Sequence, residues 1–396
     1  MTATEKFAQR TDKLAPEGAY QMLARAQALE AAGRDIIHFE IGEPDFETFE
    51  NIREAGRQAI AGGLTRYTAP AGIPALREAI AADAGRRRGL RFKPEEVIVS
   101  PGAKPNLFFA TLALIEPGDE VLYPDPGFPT YRAMIEVAGG KPVPARLEEE
   151  SGFSLDILAF DRLLSERTRL IILNSPGNPT GGIIPAPDLM HIAAAVVNQD
   201  CWVLSDEIYS GLVYDGHTAG SIVTLPGMRE RTVIVDGFSK TYAMTGWRLG
   251  YGIMPVELAR KVELLLTHSV GSTAQFTQVA GIEALQGPQE HAAAMLEEYQ
   301  RRRDMIVEGL RGIPGVTCRT PRGAFYVFPN IKVFGRKSIE VADHLLEDAG
   351  VAVLPGSSFG KRGEGYLRLS YTISTSKIAE GLERMRKSLR KLKSTT

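Results

Sequence analysis

Six short apolar runs recur at helix-sized intervals: "EEVIVS" (95–100), "DEVLYP" (119–124), "LIILNSP" (170–176), "CWVLSDE" (201–207), "TVIVDGF" (232–238) and "LGYGIM" (249–254). Most are β-branched and apolar at successive positions, so each strand has two faces to hide. That is the pattern of a largely parallel sheet buried between helix layers. Between the runs, "KPNLFFATLALIE" (104–116) and "PDLMHIAAAVVNQD" (187–200) read as helices. The alternation predicts an α/β fold with a mostly parallel sheet sandwiched by helices.

The texture changes after about residue 285. "EYQRRRDMIVEGLRGI" reads as a long charged helix, and "GAFYVFPNI", "VAVLPG" and "YLRLSY" as strands flanking the helical "SIEVADHLLEDAG". This predicts a large domain over 46–285 and a smaller α+β domain over 286–396, joined by the N-terminal segment 1–45. Ile378, Leu382, Met385, Leu389 and Leu392 repeat at 4-3-4-3 spacing on a basic background, as in a docked amphipathic helix with a solvated charged face.

The 46 Lys and Arg nearly balance 48 Asp and Glu, and a formal charge of −2 gives no electrostatic pull toward nucleic acid or an anionic membrane. The ligands expected are small molecules. Cys201 and Cys318 are the only cysteines, too few for a disulfide framework and suited to a reducing cytosol. "MTATEKFAQRTDKLAPEGAY" lacks the apolar core of a secretory signal, and no run of about 18 apolar residues occurs, so a cytoplasmic location is expected.

Parallel sheets gather function at the carboxyl ends of their strands. "VSPGAKPN" (99–106) is a strand, a Pro-Gly turn and a helix start with Pro105 in its first turn. Such a turn aims backbone N–H groups at an anion such as phosphate; an ordinary βα connection reads the same way. "NSPGNPTGG" (174–182) puts Asn178 in a Gly/Pro-dense loop, where its amide serves a ligand or the loop is a plain turn with a cis X-Pro bond. "LSDEIYSGLVYDG" (204–216) carries Asp206 and Tyr209 past another strand, with a helix cap as the alternative role for the aspartate. In "VIVDGFSKTYAMTGWRLGY" (233–251), Lys240 is either a solvated loop residue or an amine placed for chemistry, and Arg248 follows it.

A lysine at its ordinary pKa of about 10.4 is a poor nucleophile at pH 7, but as a Schiff base with an aldehyde it becomes a reusable covalent anchor. Pyridoxal 5′-phosphate, an aldehyde cofactor, needs a phosphate site, a carboxylate opposite its ring nitrogen, a donor to its phenolic oxygen and a flat group over the ring. Gly102, Ala103 and Lys104 with Arg248, then Asp206, then Asn178 with Tyr209, and Phe128 of "PDPGFPTY" supply these four. Rival motifs fail on context. "GSSFG" (356–360) matches G-x-S-x-G but "KRGEGY" follows instead of a helix, and "SFGK" and "STSK" lack the S-D-N and K-T-G companions of S-x-x-K enzymes. Six dispersed histidines make no metal set, and no phosphate-loop, zinc-protease or dinucleotide signature is present.

On these residues the chain resembles the fold-type I pyridoxal-phosphate aminotransferases, class I/II, and among them the bacterial branch around aspartate aminotransferase. "YTAPAGIPALREAI", "NSPGNPTG", "SDEIY" and "SKTYAMTGWRLGY" occur in family order, and the likeness runs from "GRDIIHFEIGEPDF" to "YLRLSY". The resemblance implies that Lys240 anchors the cofactor and moves the substrate Cα proton, and that Asp206 keeps the pyridine nitrogen protonated. It implies that Asn178 and Tyr209 bond the phenolic oxygen, that Phe128 stacks on the ring, and that Gly102, Ala103, Lys104 and Arg248 surround the phosphate with help from Ser239. Arg368 of "YLRLSY" resembles the clamp for the substrate α-carboxylate, a geometry that suits guanidinium. Gly42 resembles the glycine that lets backbone approach the substrate, and Tyr67 the tyrosine that reaches a phosphate across a homodimer interface.

Two departures accompany the likeness. Gly237 stands where many relatives carry a phosphate-binding serine, and Glu17 and Gly18 of "APEGAY" stand where acidic-substrate members have small hydroxylated residues. Lys104 resembles the lysine that some members use for the distal carboxylate of aspartate or glutamate. The function implied is a ping-pong transfer of an amino group from an amino acid to a 2-oxo acid, of aspartate/glutamate type or broader. The alternatives are another α-carbon enzyme of the fold, such as a C–S lyase, and a non-catalytic cofactor-binding regulator.

Overall fold

Val97–Ser100, Glu120–Asp125, Lys141–Glu148, Ser154–Leu155, Thr168–Asn174, Trp202–Asp206, Thr232–Gly237 and Gly250–Ile253 form one eight-stranded sheet in a computed structural model that describes residues 7–12 and 14–392. The first six residues of the polar N-terminal stretch, read above as free of a secretory signal, lie outside the described residues. Across the sheet, Thr232–Gly237, Trp202–Asp206, Thr168–Asn174, Glu120–Asp125 and Lys141–Glu148 are successive parallel neighbours. Side chains alternate between faces along a strand. Leu170 and Ile172 accordingly join one buried cluster with Leu204, Val233 and Val235, while Ile171 and Leu173 join another with Leu122 and Val203. Helices Lys104–Leu114 and Val256–Thr267 cover the first face and helix Ala186–Gln199 the second, which is why the runs are apolar at successive positions.

The run "LGYGIM" departs from the parallel pattern: Gly250–Ile253 is antiparallel to both Val97–Ser100 and Thr232–Gly237. Gly250 pairs with Ser100 on one side and Gly237 on the other, so the start of this strand lies at the edge where its neighbours end. That reversal brings Arg248 to the same edge as Lys240. Lys141–Glu148 was not legible in the sequence, because Pro142 and Pro144 cannot donate ladder hydrogen bonds. The strand tolerates them near the sheet edge, where residues 141–146 pair only with Glu120–Asp125.

Segments from both chain ends build smaller sheets. Ile37–His38 pairs in parallel with Val351–Ala352, and Leu367–Ser370 is flanked by antiparallel Tyr326–Val327 and Leu354–Pro355. "VAVLPG" is therefore two short strands serving two sheets, with the change of partner at Val353. Helix Thr375–Leu392 buries Ile378, Leu382, Met385 and Leu389. Its basic side chains find acidic partners within the chain, Arg384 with Asp35 and Glu380 and Lys391 with Asp348 at 2.7 Å. Among the described residues, no helix is long and apolar enough to cross a membrane.

Helix Pro74–Arg88 ends in a buried ionic network behind the strand ends. Arg88 Nη2 donates to Glu207 Oε2 at 2.6 Å, and Arg87 Nη2 to Asp236 Oδ2 at 3.2 Å. Ser205 Oγ donates to Glu207 Oε1 at 2.9 Å, and Tyr251 Oη to Asp236 Oδ2 at 3.2 Å. Removing one member of such a pair strands the other charge without water, at a cost of about 3–5 kcal/mol, whereas an apolar replacement of both is far milder. Glu207→Leu is accordingly expected to lower the unfolding free energy in urea by about 3–5 kcal/mol, and the double variant Arg88→Met, Glu207→Leu to regain more than half of that loss.

Candidate active site

Lys240 emerges just beyond the buried strand Thr232–Gly237, and its Nζ donates to the Gly42 carbonyl at 2.7 Å. The amine lies in a cavity of about 510 Å³, 5.5 Å from the Phe325 ring centroid. Burial pushes its pKa down to about 8; Glu43 opposes that shift, while the cations Arg368, Arg248 and Lys104 reinforce it. The solvated-loop reading of Lys240 therefore fails.

Asp206 ends its strand inside the same cavity and is 5% exposed. Its Oδ2 accepts from Tyr131 Oη at 2.7 Å and its Oδ1 from the Ile208 N–H at 3.3 Å. The residues after it form turns, so the helix-cap alternative fails too. Burial raises the carboxyl pKa to about 6 against the Tyr131 hydrogen bond, with Asp236 and Glu207 adding to the rise. Among the described residues its hydrogen-bond donors are neutral, so a cationic N–H from a bound ring would fit it electrostatically.

Asn178 Oδ1 accepts from Arg368 Nη1 at 3.4 Å, and its backbone N–H donates to Asn174 Oδ1 at 2.8 Å. Both X-Pro bonds of this loop, Ser175-Pro176 and Asn178-Pro179, are cis. Tyr209 shares a 2.7 Å hydrogen bond between hydroxyls with Tyr326, and burial holds its phenol well above the usual value. Phe128 lies in the cavity wall, edge-on to Tyr131 with ring centroids 5.6 Å apart.

At the start of helix Lys104–Leu114, Gly102 has φ +81°, and a Cβ there would collide with the Arg248 guanidinium. Arg248 itself has φ +53°, an uncommon backbone state for a residue with a side chain, and Nη1 donates to the Thr245 carbonyl at 2.9 Å. Ala103, Lys104, Ser239 and Arg248 all line the cavity. The helix terminus, the guanidinium and the space left by Gly102 suit a phosphate. A Cβ on Gly237 would lie 3.1 Å from Gly250 Cα, so the two neighbouring strands approach closely there.

Arg368 is buried between the rings of Tyr326 and Phe359, at 4.5 and 5.1 Å, and donates to the Glu40 carbonyl. Among the described residues its buried Nε has no hydrogen-bond partner, a donor suited to a carboxylate. Gly42 is required by a neighbour in the same chain, because a Cβ there would collide with the Tyr326 hydroxyl. Lys104 Nζ pairs with Glu17 and stands 5.1 Å from the Phe128 ring centroid. Tyr67 is 98% exposed and is not brought into the cavity of its own chain.

Tyr131, Tyr326 and Glu43 line the cavity without having been singled out in the sequence. Tyr131 closes the quoted "PDPGFPTY", and its hydroxyl was the available signal. Tyr326 lies in an aromatic strand that reads as core. A second cleft of about 480 Å³, lined by Glu150, Asp215, Arg311 and Arg319 among others, contains no lysine, so chemistry and not size selects between the two.

The family described as "Aminotransferase class I and II" matches residues 34–385. The chain is 40% identical over 371 residues to the aspartate aminotransferase of Pyrococcus horikoshii, covering 93% of each protein. It superposes on the aspartate aminotransferase of Rhizobium meliloti with a TM-score of 0.93 at 36% identity, covering 97% of this chain and 99% of that one. Against the aromatic aminotransferase of Pyrococcus horikoshii the TM-score is 0.89 at 38% identity, covering 93% and 99%. A match over nearly the whole length of both chains makes this protein a member of the class I and II aminotransferases.

Proposed function

We propose that this aminotransferase uses pyridoxal 5′-phosphate, held through Lys240, to move an amino group from an amino acid to a 2-oxo acid in two half-reactions. The donors are aspartate and glutamate or a broader set. The observation that carries this reading is an amine of lowered pKa in one cavity with a buried carboxylate whose donors are all neutral and a glycine-made space beside Arg248.

When bound, the cofactor supplies an aldehyde to take up amines and a ring that draws away the electron pair of the substrate Cα–H bond. Lys240 would provide the attaching amine and would hold the proton removed from substrate Cα. With a pKa of about 8, roughly half of it is neutral at pH 8, against less than about 1% for an ordinary lysine. Asp206 pairs with the ring N–H, an opposite charge that lowers a carboxyl pKa by about 1–3 units. Asn178 and Tyr209 would donate to the phenolic oxygen, and Phe128 would cover the ring. Gly102, Ala103, the backbone of Lys104, Ser239 and Arg248 would hold the phosphate. Arg368 binds the substrate α-carboxylate through Nε and an Nη, beside Gly42 and Asn178.

The exposed Tyr67 is accounted for in a homodimer, where it reaches the phosphate of the partner subunit. A cytoplasmic location and the division into segments 1–45, 46–285 and 286–396 belong to the same reading.

Three outcomes are expected. Sodium borohydride should fix the cofactor on the Lys240 peptide, as read by peptide mapping, and a label on another lysine contradicts the assignment. Capture of the cofactor by cofactor-free protein requires the neutral amine. Its rate, followed by stopped-flow absorbance, should rise with pH through about 8 and level off above it. Asp206→Ala should retain cofactor through the phosphate contacts but lose most of its turnover; near-normal turnover would count against the pairing with the ring nitrogen.

A further inference from the structure

Glu17 occupies the N-cap position of helix Gly18–Ala31 with an extended backbone, φ −64° and ψ 127°, yet its side chain makes no capping hydrogen bond. The carboxylate turns to the cavity instead. There its Oε1 accepts from Lys104 Nζ and, at 3.4 Å, from Thr130 Oγ1. A Cβ on Gly18 would lie 2.6 Å from Ser358 Oγ, so the start of this helix is seated against the segment Gly356–Phe359. Phe359 in turn stands 5.1 Å from the Arg368 guanidinium, which ties Glu17 and the carboxylate clamp into one frame.

With Arg368 on the α-carboxylate and Lys240 on the amine, the remaining lining of the cavity includes Glu17, Ala19, Tyr20, Leu23, Ile41 and Lys104, and Glu43, whose carboxylate accepts from Thr245. Its apolar members accept a neutral side chain at no electrostatic cost. A distal carboxylate has to take Lys104 from Glu17 and then lie beside the Glu17 charge. The side chains of Lys104 and Glu17 are 45% and 27% exposed, so the pair can be opened, but the competition is built in.

We propose that Glu17 is a specificity-determining residue: it engages Lys104 in an internal ion pair, leaves no uncompensated cation at Lys104 for a distal carboxylate, and turns selection from aspartate and glutamate toward neutral amino donors. This rests on the aminotransferase reading of the same cavity and names its substrate class. Lys104 is available to an acidic substrate only to the extent that Glu17 releases it.

The test compares wild-type holoenzyme, Glu17→Ser, the near-isosteric Glu17→Gln, and Glu17→Ser combined with Lys104→Ala. Serine is a favoured N-cap residue, so Glu17→Ser is expected to fold at least as well as the parent. Single-turnover half-reactions with aspartate, glutamate, alanine and phenylalanine give the ratio of acidic to neutral kcat/KM. A freed charge-assisted contact predicts a rise in that ratio of about tenfold or more in both single variants, and its return to the parental value or below when Lys104 is also removed. In parallel, spectral titration of holoenzyme with the unreactive succinate and butyrate should show tighter succinate binding in Glu17→Ser with butyrate little changed. An unchanged ratio, or a uniform change across all donors and both acids, overturns the proposal. Failure of the wild type to convert any amino donor would overturn the aminotransferase reading instead, and the succinate and butyrate titration would still decide the role of Glu17.

Discussion

Withdrawing an amine, a carboxylate and a guanidinium from water without pairing them with one another is the condition that organises this molecule. Lys240 is bonded to a carbonyl, Asp206 to a phenol and a backbone N–H, and Arg368 to a carbonyl and an amide. None of these partners neutralises the charge, and burial moves Lys240 down to about 8 and Asp206 up to about 6. Groups in that state lose solvation, so they persist only on a framework that supplies stability elsewhere. The doubly covered sheet provides it. Immediately behind the site, Arg88 neutralises Glu207 while Asp206, one residue earlier, is left for the cavity. Successive residues of an extended chain face opposite sides, so of two adjacent carboxylates one enters a buried ion pair and the other faces the cavity.

The cavity is closed by parts of the chain that are remote in sequence. The large sheet contributes its strand ends, with Ala103, Lys104, Phe128, Asn178, Asp206 and Lys240. The smaller sheets and the segment that follows Ile37–His38 contribute Gly42, Tyr326 and Arg368. The contacts between the two sets are close and polar: Lys240 on the Gly42 carbonyl, Tyr209 on Tyr326, Arg368 on Asn178. Glycine at 42 and 102 is set by this crowding, since a methyl group at either position would occupy the space of Tyr326 or Arg248. Glu17 likewise arrives from the N-terminal segment to pair with Lys104.

Much of this could be read from residue order. The apolar runs predict the sheet because strands buried on both faces have few polar positions, and loops dense in Gly and Pro with Lys, Asp, Asn or Arg mark its functional edge. Strand Lys141–Glu148 was missed because its two prolines are acceptable only near a sheet edge, and edges are a property of the assembled sheet. The split of "VAVLPG" at Val353 was missed because local composition does not say which partner each half will find. Tyr131 and Tyr326 were missed because a buried aromatic with a hydroxyl looks like core until the hydroxyl's partner is known.

By itself, then, the sequence determined the α/β class and which candidate amine, carboxylate and guanidinium groups follow its strands. These depend on local periodicity and on which side chains can supply an amine, a carboxylate or a guanidinium. Tertiary structure decided the direction of Gly250–Ile253, which carries Arg248 to the edge shared with Lys240. It also decided the unpaired Nε of Arg368, the phenol on Asp206 and the pairing of Lys104 with Glu17. The reason is physical: charge, solvation and close approach depend on distances between groups tens to hundreds of residues apart, and a linear pattern carries the groups but not the distances.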